Sequence, residues 1–526
     1  MASHSWHIER AVRTVCGCLG LGPRETASSS TSHSFNGLHH AALLTFGLIL
    51  ALGRAFLIVR TTHAQTAPSD WSRPVSLYHT SGILSDPTAL EGPEGQIHVF
   101  WIENTLPDPY RGSGYPEALF HSYTTNGTDW STPRDILIAP SAGRIHAFAV
   151  ALDETDRLHL LLADTQNDRL YYTSVNLPEA DSPGSWSKFR PIVGSRPWDL
   201  DVAYANGALY VAYVLAVEPY GVYLVRSDDH GFSWSLPVLV AGSDGGQDMP
   251  ASVSLAVGRE GRLHVAWHLL PLPSATPPLG VYYAHSADGG FSWSQAETLA
   301  EGTFADPSMA VSTGGDAYVV WDASAALGTR HFRHSPDGGD TWREPVLIGS
   351  RVAGLTGTSL SPDSAGVLHF VTPIHVSMNG IAYAQWNGGG WSPMIGITQT
   401  PDPPAIEDDR TGYQATILVT GGNQLNVVYL GIHRTDVMYV KSNSAAPATA
   451  PRPAQILPTA APSPEPSYFE SPAPSVGSET AEVIVPVAGA QPRPTSGQGL
   501  PVTLGLTAVV LTLGVVVLIH LLRRRS

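Results

Sequence analysis

Between residues 71 and 443 short runs of apolar and polar residues alternate with a period of two, the period of a half-buried β-strand. The runs recur in sets. One series occupies 97–101, 158–162, 209–213, 263–267, 317–321, 368–372 and 425–429. Each member is preceded by a second apolar run, at 87–90, 147–152, 200–204, 251–257, 308–311, 358–360 and 414–419. Tryptophans mark the same interval: Trp71, Trp130, Trp186, Trp234, Trp293, Trp342 and Trp391 follow one another at spacings of 48 to 59 residues. Four strands per unit of this length predict the blades of a β-propeller. Seven sets of inner strands are present. The last unit lacks its fourth strand, and the chain begins with a lone fourth strand at 71–78. Pairing the two closes the ring and removes both open edges. The expected fold is therefore all-β, a propeller of seven four-stranded blades over 65–443, with six as the alternative count.

Three of the outer hairpins share one phrase. It reads Ser227-x-Asp229-x-Gly231-x-Ser233-Trp234, Ser286-x-Asp288-x-Gly290-x-Ser292-Trp293 and Ser335-x-Asp337-x-Gly339-x-Thr341-Trp342. The chemistry is that of a turn: glycine supplies positive φ, and short Asp and Ser side chains bond nearby amides. The Trp then buries a large ring. The phrase resembles the Asp-box, or BNR repeat, of sialidases and related β-propellers. That resemblance implies a folding role for Ser227, Asp229, Gly231, Trp234, Ser286, Asp288, Gly290, Trp293, Ser335, Asp337, Gly339 and Trp342, on the side of the disc away from substrate. His98, His159, His264 and His369 recur at one place in the second strand. Ring symmetry spreads them over separate blades, so they read as scaffold and not as a shared metal site.

The ends of the chain differ from its middle. Residues 1–40 are polar, and 41–59 are apolar except for Arg54, followed by Thr62-His63-Ala64. This reads as a secretory leader over 1–64. Residues 444–500 are rich in Pro, Ala, Ser and Thr and read as an extended stalk. Residues 502–522 carry no charge, and three arginines follow, which predicts a membrane span in segment 501–526 with a cytoplasmic C-terminus. The expected location is the cell surface, with the propeller outside.

Charge narrows the partners. The formal net charge is −16, and removal of the leader, with its five Arg and two Glu, makes it about −19. Such a surface excludes nucleic acid as a ligand. The two cysteines, Cys16 and Cys18, both lie in the leader and give the propeller no disulfide. No cofactor motif is present.

A ligand pocket is expected opposite the Asp-box turns, where loops lead into the inner strands and join second strands to third. These loops carry Asp86, Asp248, Asp306, Arg144, Arg351, Arg410, Tyr413 and Glu103, a set suited to a glycan. Resemblance to the sialidases assigns roles. Arg144, Arg351 and Arg410 would clamp a carboxylate bidentately. Tyr413 would be the nucleophile, and Asp86 or Asp248 the acid. Asp306 and Glu103 would complete the substrate contacts. Two features depart from that family: the sialidases have six blades, and their Phe/Tyr-Arg-Ile-Pro motif is missing. The expected function is a membrane-anchored exo-glycosidase acting on sialic-acid or related glycans; the alternative is a propeller that binds carbohydrate or protein without catalysis.

Overall fold

A computed structural model describes residue 68 and residues 70–455, apart from 69, 105–116, 140–144, 244–246, 274–277, 324–328, 350–356, 375–379, 399–411 and 432. Seven four-stranded antiparallel sheets follow one another. Blades 1 to 6 span residues 83–138, 147–193, 197–242, 248–301, 304–348 and 359–396, each in simple chain order from the axis outward. Blade 7 combines strands Gly412–Thr420, Gln424–Gly431 and Asp436–Asn443 with the first of the described strands, Val75–His79. Val75 pairs with Tyr439 and His79 with Asp436, which closes the ring as the missing fourth strand requires.

Each sheet buries both faces, and the core lies between blades. One apolar cluster joins Phe100 and Leu119 of blade 1 to Leu160 and Phe148 of blade 2. Equivalent clusters join blades 2 and 3, 3 and 4, 4 and 5, 5 and 6, and 6 and 7. The seam cluster sets Leu77, Val428 and Val437 of blade 7 against Leu84, Val99 and Trp101 of blade 1. The disc is therefore closed, and an open stack of units is excluded.

The three repeated turns have one hydrogen-bond scheme. In the first, Ser227 Oγ donates to Asp229 Oδ1 (2.8 Å), and Gly231 N–H donates back to Ser227 Oγ (2.8 Å). Ser233 gives its N–H and its hydroxyl to the two oxygens of Asp229. Asp288 and Asp337 repeat this with Ser292 and Thr341. Gly231, Gly290 and Gly339 have φ of 83°, 90° and 90°. A Cβ there would overlap the preceding blade: Tyr172 at Gly231, Leu224 at Gly290 and Tyr283 at Gly339. Trp234 and Trp342 lie edge-on to Tyr172 and Tyr283 of the preceding blade, with centroids 5.4 and 4.9 Å apart. The turns are thus inter-blade fasteners. The recurring histidines are scaffold too: His159, His264 and His369 hydrogen-bond Tyr172, Tyr283 and Tyr383.

Among the described residues no helix is long and apolar enough to cross a membrane. The leader 1–64 and the expected span 501–526 lie outside the described residues. The first twelve residues after Asn443, 444–455, run along the disc and are bonded to it.

Candidate functional site

In an antiparallel sheet in chain order, the repeated turns and the hairpins of the inner strands share one end. The loops leading into inner strands, and those joining second strands to third, share the other. The inner strands also have a free edge toward the axis, where unpaired N–H groups need acceptors. Side chains of the preceding blade supply them. Asp199 accepts from Val253 N–H (3.0 Å) and Asp201 from Leu255 N–H (2.8 Å). Ser254 accepts from Met309, Ser359 from Ile417 and Ser361 from Val419.

At the loop end this pattern changes because the inner strands bulge. Register shifts occur between Ser85 and Thr88, Ala251 and Ser254, and Ala305 and Ser308. The inserted residues Asp86, Ser252 and Asp306 have φ of 54°, 48° and 50°, a left-handed backbone that a non-glycine residue adopts at a cost. The bulge re-aims each side chain toward the neighbouring blade. Ser252 Oγ donates to Asp306 Oδ1 (2.7 Å), and Asp306 N–H donates to His268 Nδ1 (3.2 Å). Burial lowers the pKa of His268, so its ring is neutral and offers Nδ1 as an acceptor. Asp86 N–H donates to Gln414 Oε1 (3.0 Å), while Gln414 Nε2 donates to Asp86 Oδ1 (3.2 Å).

Behind Asp306 lies a buried ion pair. Asp322 Oδ1 and Arg330 Nε are 2.7 Å apart, and Arg330 also donates to Thr372 of blade 6. Burial outweighs the guanidinium and pushes the Asp322 carboxyl up to about 7. On the other side of the mouth, the His146 ring lies 4.2 Å from Trp198, which is 36% exposed, and the charges of Asp86 and Arg196 both reach His146. Asp199 follows Trp198. Asp199 is half-buried at the channel wall; loss of solvent there, with Asp201 and Asp86 nearby, raises its carboxyl to about 7, against the hydrogen bonds from Leu200 and Val253.

The expected site residues therefore divide. Asp86 and Asp306 occupy equivalent bulges on blades 1 and 5. Asp248 starts the inner strand of blade 4, and its Oδ1 is buried with no hydrogen-bond partner among the described residues. Glu103 is 1% exposed; its Oε2 accepts from Tyr78 (2.7 Å) and its Oε1 from Thr80, both at the ring seam. Although Tyr78 and Glu103 form a Tyr–Glu pair, burial raises the Tyr78 pKa, and its strand is the outermost of blade 7, away from the axis. Tyr413 lies in strand Gly412–Thr420, and its side chain is outside what is described. Arg144, Arg351 and Arg410 also lie outside the described residues. Sequence reasoning missed Ser252, His146 and Gln414, for which no local signal exists.

No protein-family model matches the chain, and no curated protein matches it in sequence. Solved structures do match in fold. The BP39L lectin from Burkholderia pseudomallei is 16% identical, with a TM-score of 0.51 over 71% of this chain and 99% of that one. An ulvan lyase, a polysaccharide lyase solved with a bound glycan, is 11% identical, with a TM-score of 0.51 over 70% of this chain and 95% of its own. The microbial sialidase Hz136 is 14% identical with a TM-score of 0.40, over 70% of this chain and 68% of its own. At these identities the likeness is one of fold: the chain is an all-β seven-bladed propeller.

Proposed function

We propose that the protein is an Asp-box propeller of the sialidase-like superfamily that binds glycans at the loop end of its channel. The observation that carries this reading is the group at the mouth: Asp86 and Asp306 re-aimed by bulges, and Trp198 beside His146. Carboxylates accept from sugar hydroxyls, and an exposed indole face covers the apolar side of a sugar ring. Two of the fold neighbours, a lectin and a polysaccharide lyase, are carbohydrate proteins, which agrees with this use of the disc. The described mouth is acidic, and its one deeply buried guanidinium, Arg330, faces Asp322. A neutral glycan suits it better than an anionic one. The reading includes export, with the disc carried outside the cell on the Pro-rich segment and the apolar segment 501–526 in the membrane.

A glycan array probed with the full chain tests the proposal. Binding to neutral glycans that falls at least about tenfold in Trp198→Ala and Asp306→Asn supports it, in line with the loss of one stacking or charged contact. Absence of any bound glycan, or binding indifferent to both changes, overturns it.

The second reading is hydrolysis of a sialic-acid or related glycan, favoured by the equivalence of the two bulged carboxylates. It uses Asp86 or Asp248 as acid, Tyr413 as nucleophile and Arg144, Arg351 and Arg410 as the clamp. Release of a fluorescent leaving group from a sialoside panel, lost in Tyr413→Phe and Arg410→Ala, is its signature. Wild-type protein that releases none excludes it.

A further inference from the structure

The inner hairpin of blade 2 meets the repeated turn of blade 3 in a cluster that the glycan reading does not use. The Asp153 carboxylate is 2% exposed. Its Oδ1 accepts from Thr155 and from Arg157 N–H, which fixes the group in place. Its Oδ2 lies 2.8 Å from His230 Nδ1 and 3.2 Å from His159 Nε2. One donor atom each from Asp153, Glu154 and His230 lies within 4.8 Å of the others. The Glu154 side chain is exposed and makes no hydrogen bond or ion pair among the described residues.

A second observation sets this turn apart from its sisters. His230 stands where the other two turns have Gly289 and Gly338, both at positive φ (73° and 71°). His230 keeps that backbone, at φ 54°. A side chain is thus carried at a position that favours glycine, at a cost of about 1 kcal/mol. The imidazole reaches across the blade boundary to Asp153. Blade 6 supplies the comparison: Asp363 and His369 repeat Asp153 and His159, but Asp363 Oδ2 takes the Ser444 hydroxyl (2.8 Å), and the next residue is Ser364. Only blade 2, among the described residues, has both an imidazole and a second carboxylate there.

We propose that Asp153, Glu154 and His230 bind a first-row divalent cation of the zinc type, pinning blade 2 to blade 3. One imidazole and two carboxylates leave coordination positions for water, and the exposed side of the cluster gives access. The ion takes the place of the His230 proton between Nδ1 and Asp153 Oδ2; that proton moves to Nε2 or leaves to solvent. His159, whose Nδ1 lies 2.8 Å from the Tyr172 hydroxyl, then orients Asp153 from behind.

The test uses the full chain, stripped with chelator and titrated with Co2+ and then Zn2+. One Co2+ per chain with visible d–d bands, displaced by Zn2+ and accompanied by a rise in Tm, is expected. His230→Gly, which restores the sister turns' residue, should weaken binding at least about 100-fold while leaving the metal-free Tm no lower. Glu154→Gln, on an exposed side chain, should weaken binding as well. Bands with thiolate charge transfer that survive both changes belong to Cys16 and Cys18. Wild-type protein that binds no ion at this cluster, or that binds it as tightly as both variants, overturns the proposal and leaves a hydrogen-bonded contact.

Discussion

The Ser444 hydroxyl donates to Asp363 Oδ2 over 2.8 Å, tying the chain just beyond its last strand to blade 6. From there the segment crosses the seam. Ser364 donates to Pro447 O (2.6 Å), Thr449 N–H to Gly421 O in blade 7, and Glu94 N–H of blade 1 to Arg452 O (2.7 Å). Arg452 Nη2 then meets Asp156 Oδ1 of blade 2 at 2.5 Å, and Gln455 N–H donates to Asp156 Oδ2. A strap over blades 6, 7, 1 and 2 thus spans the place where the first strand closes the ring. A chain ending at Asn443 should unfold at lower temperature than the whole protein. Arg452→Ala alone should cost about 1 kcal/mol, because the pair is partly solvated. Thermal unfolding of both variants, followed by circular dichroism, checks this; an unchanged Tm in the truncated chain would show that the strap bears no load.

Gly339 and Tyr283 give a sharper case. A Cβ on Gly339 would sit 1.8 Å from the Tyr283 hydroxyl oxygen, and the backbone there has a φ of 90°. Gly339→Ala meets both a steric overlap and a strained backbone, so it should cost about 2 kcal/mol or more. Tyr283→Phe removes the nearest atom and should recover part of that loss in the double variant. Urea unfolding of the four proteins measures the coupling; strict additivity would mean that the overlap is relieved elsewhere.

Asp322 and Arg330 are 6% and 1% exposed. Asp322→Asn removes the carboxylate nearest the buried Arg330 guanidinium, with Asp306 the next charge that reaches it, and should cost about 3 kcal/mol. Asp322→Leu combined with Arg330→Met removes both charges and should be less destabilising than Asp322→Asn. Chemical denaturation of the two variants decides it. If Asp322→Asn is the milder change, the pair is not a buried charge pair in solution.

Much of this architecture can be read along the chain, and the reason is periodicity. The unpaired strand before residue 83 and the missing strand after 443 imply the seam found between Val75–His79 and Asp436–Asn443. The shared phrase implies turns, and its Ser, Asp and Gly perform them. The mouth is harder to read. A bulge adds one residue whose backbone turns left-handed, yet Asp86, Ser252 and Asp306 carry no glycine to betray it. The contacts that define the site join residues far apart, such as Asp86 with Gln414 and Ser252 with Asp306, and exist only once the ring has closed. Glu103 shows the converse: its place after a second strand suggests a pocket, but the closing strand brings Tyr78 and Thr80 onto it. Composition likewise makes 444–455 read like the rest of the Pro- and Ala-rich segment 444–500, since hydrogen bonds to a distant surface leave no mark in such a stretch.

The inner carboxylates also set how stability varies with pH. Burial raises Asp199 to about 7 and Asp201 to about 6, both above the ordinary aspartate value. Between the unfolded value, about 4, and these raised values the folded protein holds more protons than the unfolded chain. Stability therefore falls as pH rises through that window, by up to about 1.4 kcal/mol per pH unit for each group. Asp229 and Asp288 act in the opposite sense. The hydroxyls and then the N–H groups of Ser233 and Ser292 hold them at about 2, so their contribution is present above the unfolded value and is lost as pH falls toward 2. The buried histidines also act in that second sense: burial lowers His98 and His264 to about 3, so stability rises with pH up to the ordinary histidine value, about 6.5. The two inner aspartates are therefore read by difference. Urea unfolding of the wild type and of Asp199→Asn with Asp201→Asn from pH 3 to pH 8 should show the wild type losing stability relative to the variant between about pH 4 and pH 7. A difference that does not change with pH would mean that the channel lets water reach these carboxylates and that they ionise as free aspartates do.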